Sequence, residues 1–397
     1  MTVENRAGMI DVPAYADPRE SMRRLPALLQ RPLTFLTGKA YAGQPATRLT
    51  PTWHVLAGFT AMVAGVGVSA ASVVAAGWWL MLLPLGWAMT LHGMRNLRML
   101  IYHQCAHRNM WGSRPADRAV GSLIAGLLVV QNLDRYAEEH VREHHAVRHM
   151  TVHDPTVQAF LVGLRLRPGM TRRQMWRRLV LTLLSPLFHV RFLIARGHSC
   201  LHRADRTFAV ATVAGYASAA VVVTLWSAWP VALLAWVVPL TVPYQISNTL
   251  RLCVKHTFPP RHATRRTGRE YFAGLTAAVF LGEPAPRTDA VRPWLRWAAR
   301  MVLVHLPARY LVVTGDTCVH DYHHRFPMSR SWPNYLFARA ADDADGHPGW
   351  PPYEEVWGLA PAISRVFDSL SAADPVEYDV AQLAGVGRRS TFAAFDD

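Results

Sequence analysis

Lysine is almost missing from this chain: Lys39 and Lys255 are the only two, and arginine carries nearly all of a formal charge of +15. Such a bias fits GC-rich codon usage better than a surface built for nucleic acid, so no nucleic-acid partner is expected. Cysteine is nearly as scarce. Cys105, Cys200, Cys253 and Cys318 stand far apart with no CxxC, which argues against a disulfide framework and against zinc or iron–sulfur sites built on thiolates. Neither a Gly-rich dinucleotide loop nor ferredoxin-type cysteine spacing is present, so electrons are not expected from a module within these residues. Glu4, Asp11, Asp17 and Glu20 precede the first apolar run, a pattern unlike a signal peptide. Internal repeats and low-complexity tracts are lacking as well.

What is there is apolar surface in quantity: 51% hydrophobic residues and 14 Trp beside that strong charge. The combination fits an integral membrane protein with large aqueous parts. A spanning helix needs about 20 largely apolar residues. Trp53 to Leu100 is long enough for two, with a turn near Ala75 to Gly77, and Phe208 to Trp226 with Val231 to Ser247 makes a second pair, broken at Ser227 to Pro230. The shorter runs Ala119 to Gln131, Leu179 to Ile194 and Tyr271 to Leu281 are expected to be interfacial or buried in protein. Arginine is dense after the second span, between the pairs and after the fourth, and absent from the turns within each pair. By the positive-inside rule the Arg-rich side is cytoplasmic, both termini included. The expected fold is an all-α membrane protein: four transmembrane helices in two hairpins under a cytoplasmic helical cap, multi-pass in a bacterial inner membrane. Residues 1–50 read as a cytoplasmic segment, 51–340 as the membrane domain and 341–397 as a cytoplasmic tail.

The 19 histidines are grouped. His103 and His107 follow the second span, then come His140, His144 and His145, and after the fourth span His320, His323 and His324. On a helix, positions three or four apart share a face, so each group offers adjacent imidazoles to one site. Eight ligands are too many for one metal. A complete membrane hairpin separates the second group from the third, and an even number of crossings returns the chain to the same side, where His256 also emerges. Imidazole suits Fe, Cu and Zn, and a pair of irons sharing eight or nine nitrogens is the economical reading. Glu139, Glu143, Asp316 and Asp321 are candidates to orient the rings through their other nitrogen. His149 and His153 continue the i+4 series from His145, but Asp154-Pro155 ends that segment and both are left out of the ligand set. His54, His92, His189, His198, His202, His262, His305 and His347 are read as structural.

These motifs resemble the integral-membrane fatty-acid desaturase superfamily, with its HX(3–4)H, HX(2–3)HH and HX(2–3)HH pattern. The likeness rests on "HQCAHRNMW", on "HHAVRHMTVHDP" with its Asp-Pro ending, and on "HHRFPMSRSWPNY" with Tyr335 downstream, and it covers roughly residues 50 to 340. Two positions depart from it. Gln104 stands where an acidic residue is common, and Leu252 stands four residues before His256, where an Asn can hold a metal-bound water; Asn248 lies two turns away. The resemblance implies O2-dependent oxidation of an unactivated C–H bond of an acyl chain or lipid by two Fe ions, giving an alkene or, alternatively, an alcohol. It also implies a ferredoxin or flavoprotein reductase as electron donor. "HPGW" at His347 resembles the His-Pro-Gly-Gly of cytochrome b5 domains, but no partner haem histidine follows it. A membrane haem protein or metal transporter is the reading from another class; it would want histidines facing each other within the spans, whereas these groups fall beyond the span ends.

Overall fold

The computed structural model describes residues 17–261, 268–384 and 395, with the side chains of 142, 143 and 145–147 outside the description. His262 and these side chains, including Glu143 and His145, are therefore not placed. The described chain is mostly helical.

Helix α1 (Pro51–Ala75) is opened by the Thr50 hydroxyl, which accepts from the Trp53 amide at 3.2 Å, with Pro51 in the first turn where its missing N–H costs nothing. It stops where Ala76 and Gly77 both turn left-handed, φ 55° and 56°. The chain returns as α2 (Leu83–Asn96), which continues through a π-helical stretch, Leu97–Tyr102, into His103–Ala106. After α3 (Arg114–Leu128) come α4 (Arg172–Leu183) and α5 (Pro186–Leu201), bent by 71° where Pro186 follows Ser185. Then come α6 (Arg206–Leu225) and the long run Trp229–Lys255, whose last part is α7 (Val242–Lys255).

Among the described residues three helices are long and apolar enough to cross a bilayer: Pro51–Ala75, Arg206–Leu225 and Trp229–Lys255. The bent pair α4 and α5 would be a fourth if taken as one. The expected second span, ending at Leu100, is not among these three: its region is α2 with the π-helical stretch that continues it, and the buried polar groups there include Arg95 and Arg98. The last span also runs past Ser247 to Lys255. The expectation of helix alone is likewise modified, since β1 (Ala278–Phe280) and β2 (Glu355–Trp357) form a short parallel pair. Tyr271 to Leu281, apolar but too short to span, is largely buried in protein and includes β1.

Beyond the spans one large cluster gathers several elements. Phe160, Leu252, Phe280, Val319, Phe367 and Tyr378 belong to one cluster, so α10 (Leu359–Ala372), preceded by α8 (Val291–Arg300) and α9 (His320–Arg325), packs on the same core that carries the histidines.

Candidate metal centre

Four segments deliver imidazoles to one buried region. The π-helical stretch at the end of α2 hands on to His103 and His107. The Asn132 side chain caps the turn Leu133–Ala137, accepting from the Arg135 amide at 3.1 Å, and a second π-helical stretch, Glu138–Val147, carries His140 and His144. His256 ends α7 in extended conformation and forms an antiparallel bridge with Thr276. Helix α9 supplies His320, His323 and His324.

The eight described candidates fall into two neighbouring sets. His103, His107, His140 and His323, all buried, have ligand nitrogens within 4.8 Å of one another, and Nε2 of His103 lies 2.8 Å from Nε2 of His140. His144, His256 and His324 form the second set on the same measure, and His320 joins it through its Nε2. Its Nε2 atoms make a chain: His144 to His256 3.1 Å, His256 to His320 3.2 Å and His320 to His324 3.1 Å. The His140 and His144 rings stack 5.4 Å apart and join the two sets. Helical spacing suggested that His140 and His144 serve one site, but they divide between the two.

Burial holds five of these rings uncharged. It pushes His107 down to about 4 and His103, His256, His320 and His323 well below the ordinary imidazole range, with neighbouring histidines adding to the effect. A neutral imidazole has one N–H and one lone pair. His144 Nδ1 lies 2.9 Å from Asp154 Oδ2, which places its proton there and leaves a lone pair on Nε2. The three Nε2 contacts of the second set then cannot all be hydrogen bonds. A neutral Nε2 carries one hydrogen or one lone pair and so makes one linear hydrogen bond; four such nitrogens make at most two, and at least one of the three contacts is not a hydrogen bond. Rings that converge their lone pairs on a shared centre suit a cation, and the thiolate-free donor set suits iron.

The carboxylates are distributed differently from expectation. Asp154, used in the sequence reading only as a segment end, is bonded to His144. Burial alone would raise its carboxyl, but its contact with His144 and the backbone donors outweigh that and hold it below the ordinary range. It also accepts from the Met150 and Thr156 amides. Asp316 Oδ2 stops 3.8 Å from His103 Nδ1, too far for a hydrogen bond, and burial lifts it to about 6. Asp321 turns to Arg339 at 3.0 Å, and Glu139 to Arg135 and Gln131. Gln104 accepts from Asn109, Asn248 binds Arg95 and the Phe395 carbonyl, and the Tyr335 hydroxyl receives Arg309. His347 closes a local turn on Trp350.

His149 is the residue that sequence reasoning set aside and the fold brings in. Its ring centroid lies 5.0, 4.9 and 5.1 Å from those of His144, His256 and His324. Its Nδ1 is 3.1 Å from the His144 carbonyl, and its Nε2 is buried with no hydrogen-bond partner among the described residues. The i+4 continuation from His145 was the signal; the Asp-Pro that follows ends the helical segment without turning His149 away.

Apolar helices of membrane-spanning length and a buried, all-imidazole double cluster together define a helical protein with a histidine cluster able to hold metal. The chain belongs to the fatty acid desaturase family, whose model matches residues 78–357. That range starts in the turn after α1 and ends with β2, so it takes in every described histidine of both sets. No curated protein matches the chain.

Proposed function

We propose that the chain is an O2-dependent di-iron desaturase that introduces a double bond into an acyl chain of a fatty acid or lipid. The observation that carries the reading is the pair of adjacent, neutral imidazole sets within a chain of the fatty acid desaturase family. His103, His107, His140 and His323 would hold one iron, and His144, His256, His320 and His324 would hold the other. Bound there, the irons supply reductive activation of O2 and removal of hydrogen from an unactivated C–H bond.

The chain's own part is to keep the ligands neutral, fixed and dry. Asp154 holds the His144 tautomer, and burial of both sets excludes water that would intercept a reactive intermediate. Four spans in two hairpins under a cytoplasmic cap put this centre just outside the bilayer, where an acyl tail can enter from the membrane. A ferredoxin or flavoprotein reductase supplies the electrons. Hydroxylation is the second reading, since the outcome depends on placing one substrate carbon to within about 1 Å; the first and third histidine motifs resemble acyl desaturases more closely. Mass spectrometry of lipids from cells expressing the chain, with the His323→Ala variant as control, tests the choice. Products lacking two hydrogens support desaturation, products gaining one oxygen support hydroxylation, and lipids identical to the control would overturn both.

A further inference from the structure

Helix α8 is the most one-sided helix of the described chain, and its apolar side is bare. Val291 and Leu295, with Val302 in the π-helical turn Met301–His305 that continues the helix, recur at helical spacing, and Leu295 and Val302 are 66% and 54% exposed. Arg292 and Arg296 run along one flank of that stripe. On the other flank the indoles are tied down: Trp294 Nε1 donates to the Thr288 carbonyl and Trp297 Nε1 to the Glu283 carbonyl, at 2.8 and 2.9 Å. Both rings pack against Met22, Leu33, Ala285 and Met301. The helix is thus held with its indoles inward and its aliphatic stripe outward.

We propose that α8 lies in the plane of an anionic bilayer surface, its Val291, Leu295 and Val302 stripe sunk among the acyl chains and Arg292 and Arg296 at the phosphates. Two observations select lipid as the occupant. A bare aliphatic stripe flanked by arginines suits an acyl-chain and phosphate boundary, because arginine can bury its stem and keep its head among the phosphates. The stripe also continues into the membrane helices: exposed Leu303 and Val304 lead to residues 308–312, and the Tyr310 ring stacks on His92 of α2 at 3.7 Å, with its carbonyl 2.7 Å from that histidine's Nδ1. The same segment is joined to the histidine centre. His305 Nδ1 receives the Gly282 amide, and six residues earlier Thr276 bridges to His256. Seating α8 in the surface would therefore set the height of that centre above the bilayer.

All four native cysteines are buried, so a nitroxide can be attached selectively to a Leu295→Cys variant of the full chain in nanodiscs of mixed neutral and anionic phospholipid. Power-saturation EPR should find the label more accessible to O2 than to a water-soluble nickel chelate, with Ala344→Cys as the exposed control. Arg292→Glu with Arg296→Glu should then move the label toward water in anionic discs. A label as open to the nickel chelate as the control, in protein whose thermal unfolding matches the parent, would overturn the proposal. The readout needs no metal and no turnover, so it stands apart from the reading of the histidines.

Discussion

Asp154 decides which nitrogen of His144 carries the proton, and so whether that ring offers a lone pair to the second set. Asp154→Asn should leave the fold near intact and weaken metal retention about 10- to 100-fold, the usual loss when an orienting partner of a ligand is removed; iron retained against a chelator measures it. Undiminished retention would remove Asp154 from the site. His149→Ala tests the residue that the sequence argument passed over: fewer irons per chain would make it a ligand, and unchanged iron would leave it a packing residue. At this scale the sequence was informative about which histidines gather and silent about how they divide. His103 with His107 and His320 with His324 are near in the chain, so spacing alone discloses them. Asp154 and His149 become partners only because the segment after Val147 folds back toward His144, a turn that no local periodicity records.

At the scale of elements, the close approach of α1 and α2 positions the first two ligands. A Cβ on Gly93 would collide with the Met62 amide and the Gly58 carbonyl, so at that point the two helices meet backbone to backbone, as small residues allow. Gly93→Leu should cost about 1–3 kcal/mol through overpacking and lower the midpoint of thermal unfolding in detergent. Because α2 runs on into His103, iron of the first set should be lost with it; an unchanged midpoint would deny the close contact. Long apolar runs such as α1 and α6 are plain in composition. The α2 region is not, because its charged end is solvated by protein: Arg98 lies 4.5 and 4.2 Å over the Tyr102 and Tyr136 rings, and Arg95 binds Asn248. Hydropathy counts such arginines against burial although the fold buries them. The parallel strands β1 and β2 were equally hidden, since three residues each carry no period and their partners lie far apart in the chain.

For the whole molecule, a centre built from neutral imidazoles makes stability depend on pH with a definite sign. In the metal-free protein burial holds His107 at about 4 and His149 at about 3, while the unfolded chain takes up protons at about 6.5. Below that value the unfolded state binds more protons than the folded one, so stability falls as the pH drops from 7 toward 5. Thermal unfolding of chelator-treated protein across this range should show a falling midpoint; a flat profile would mean that the rings are not held neutral. The central claim is that two histidine sets each hold one iron. Iron content of the purified protein, beside that of His323→Ala and His324→Ala, tests it most directly. Two irons per chain in the parent and about half as many or fewer in each variant are expected. A parent without iron, or variants that keep the parent's iron, would contradict it.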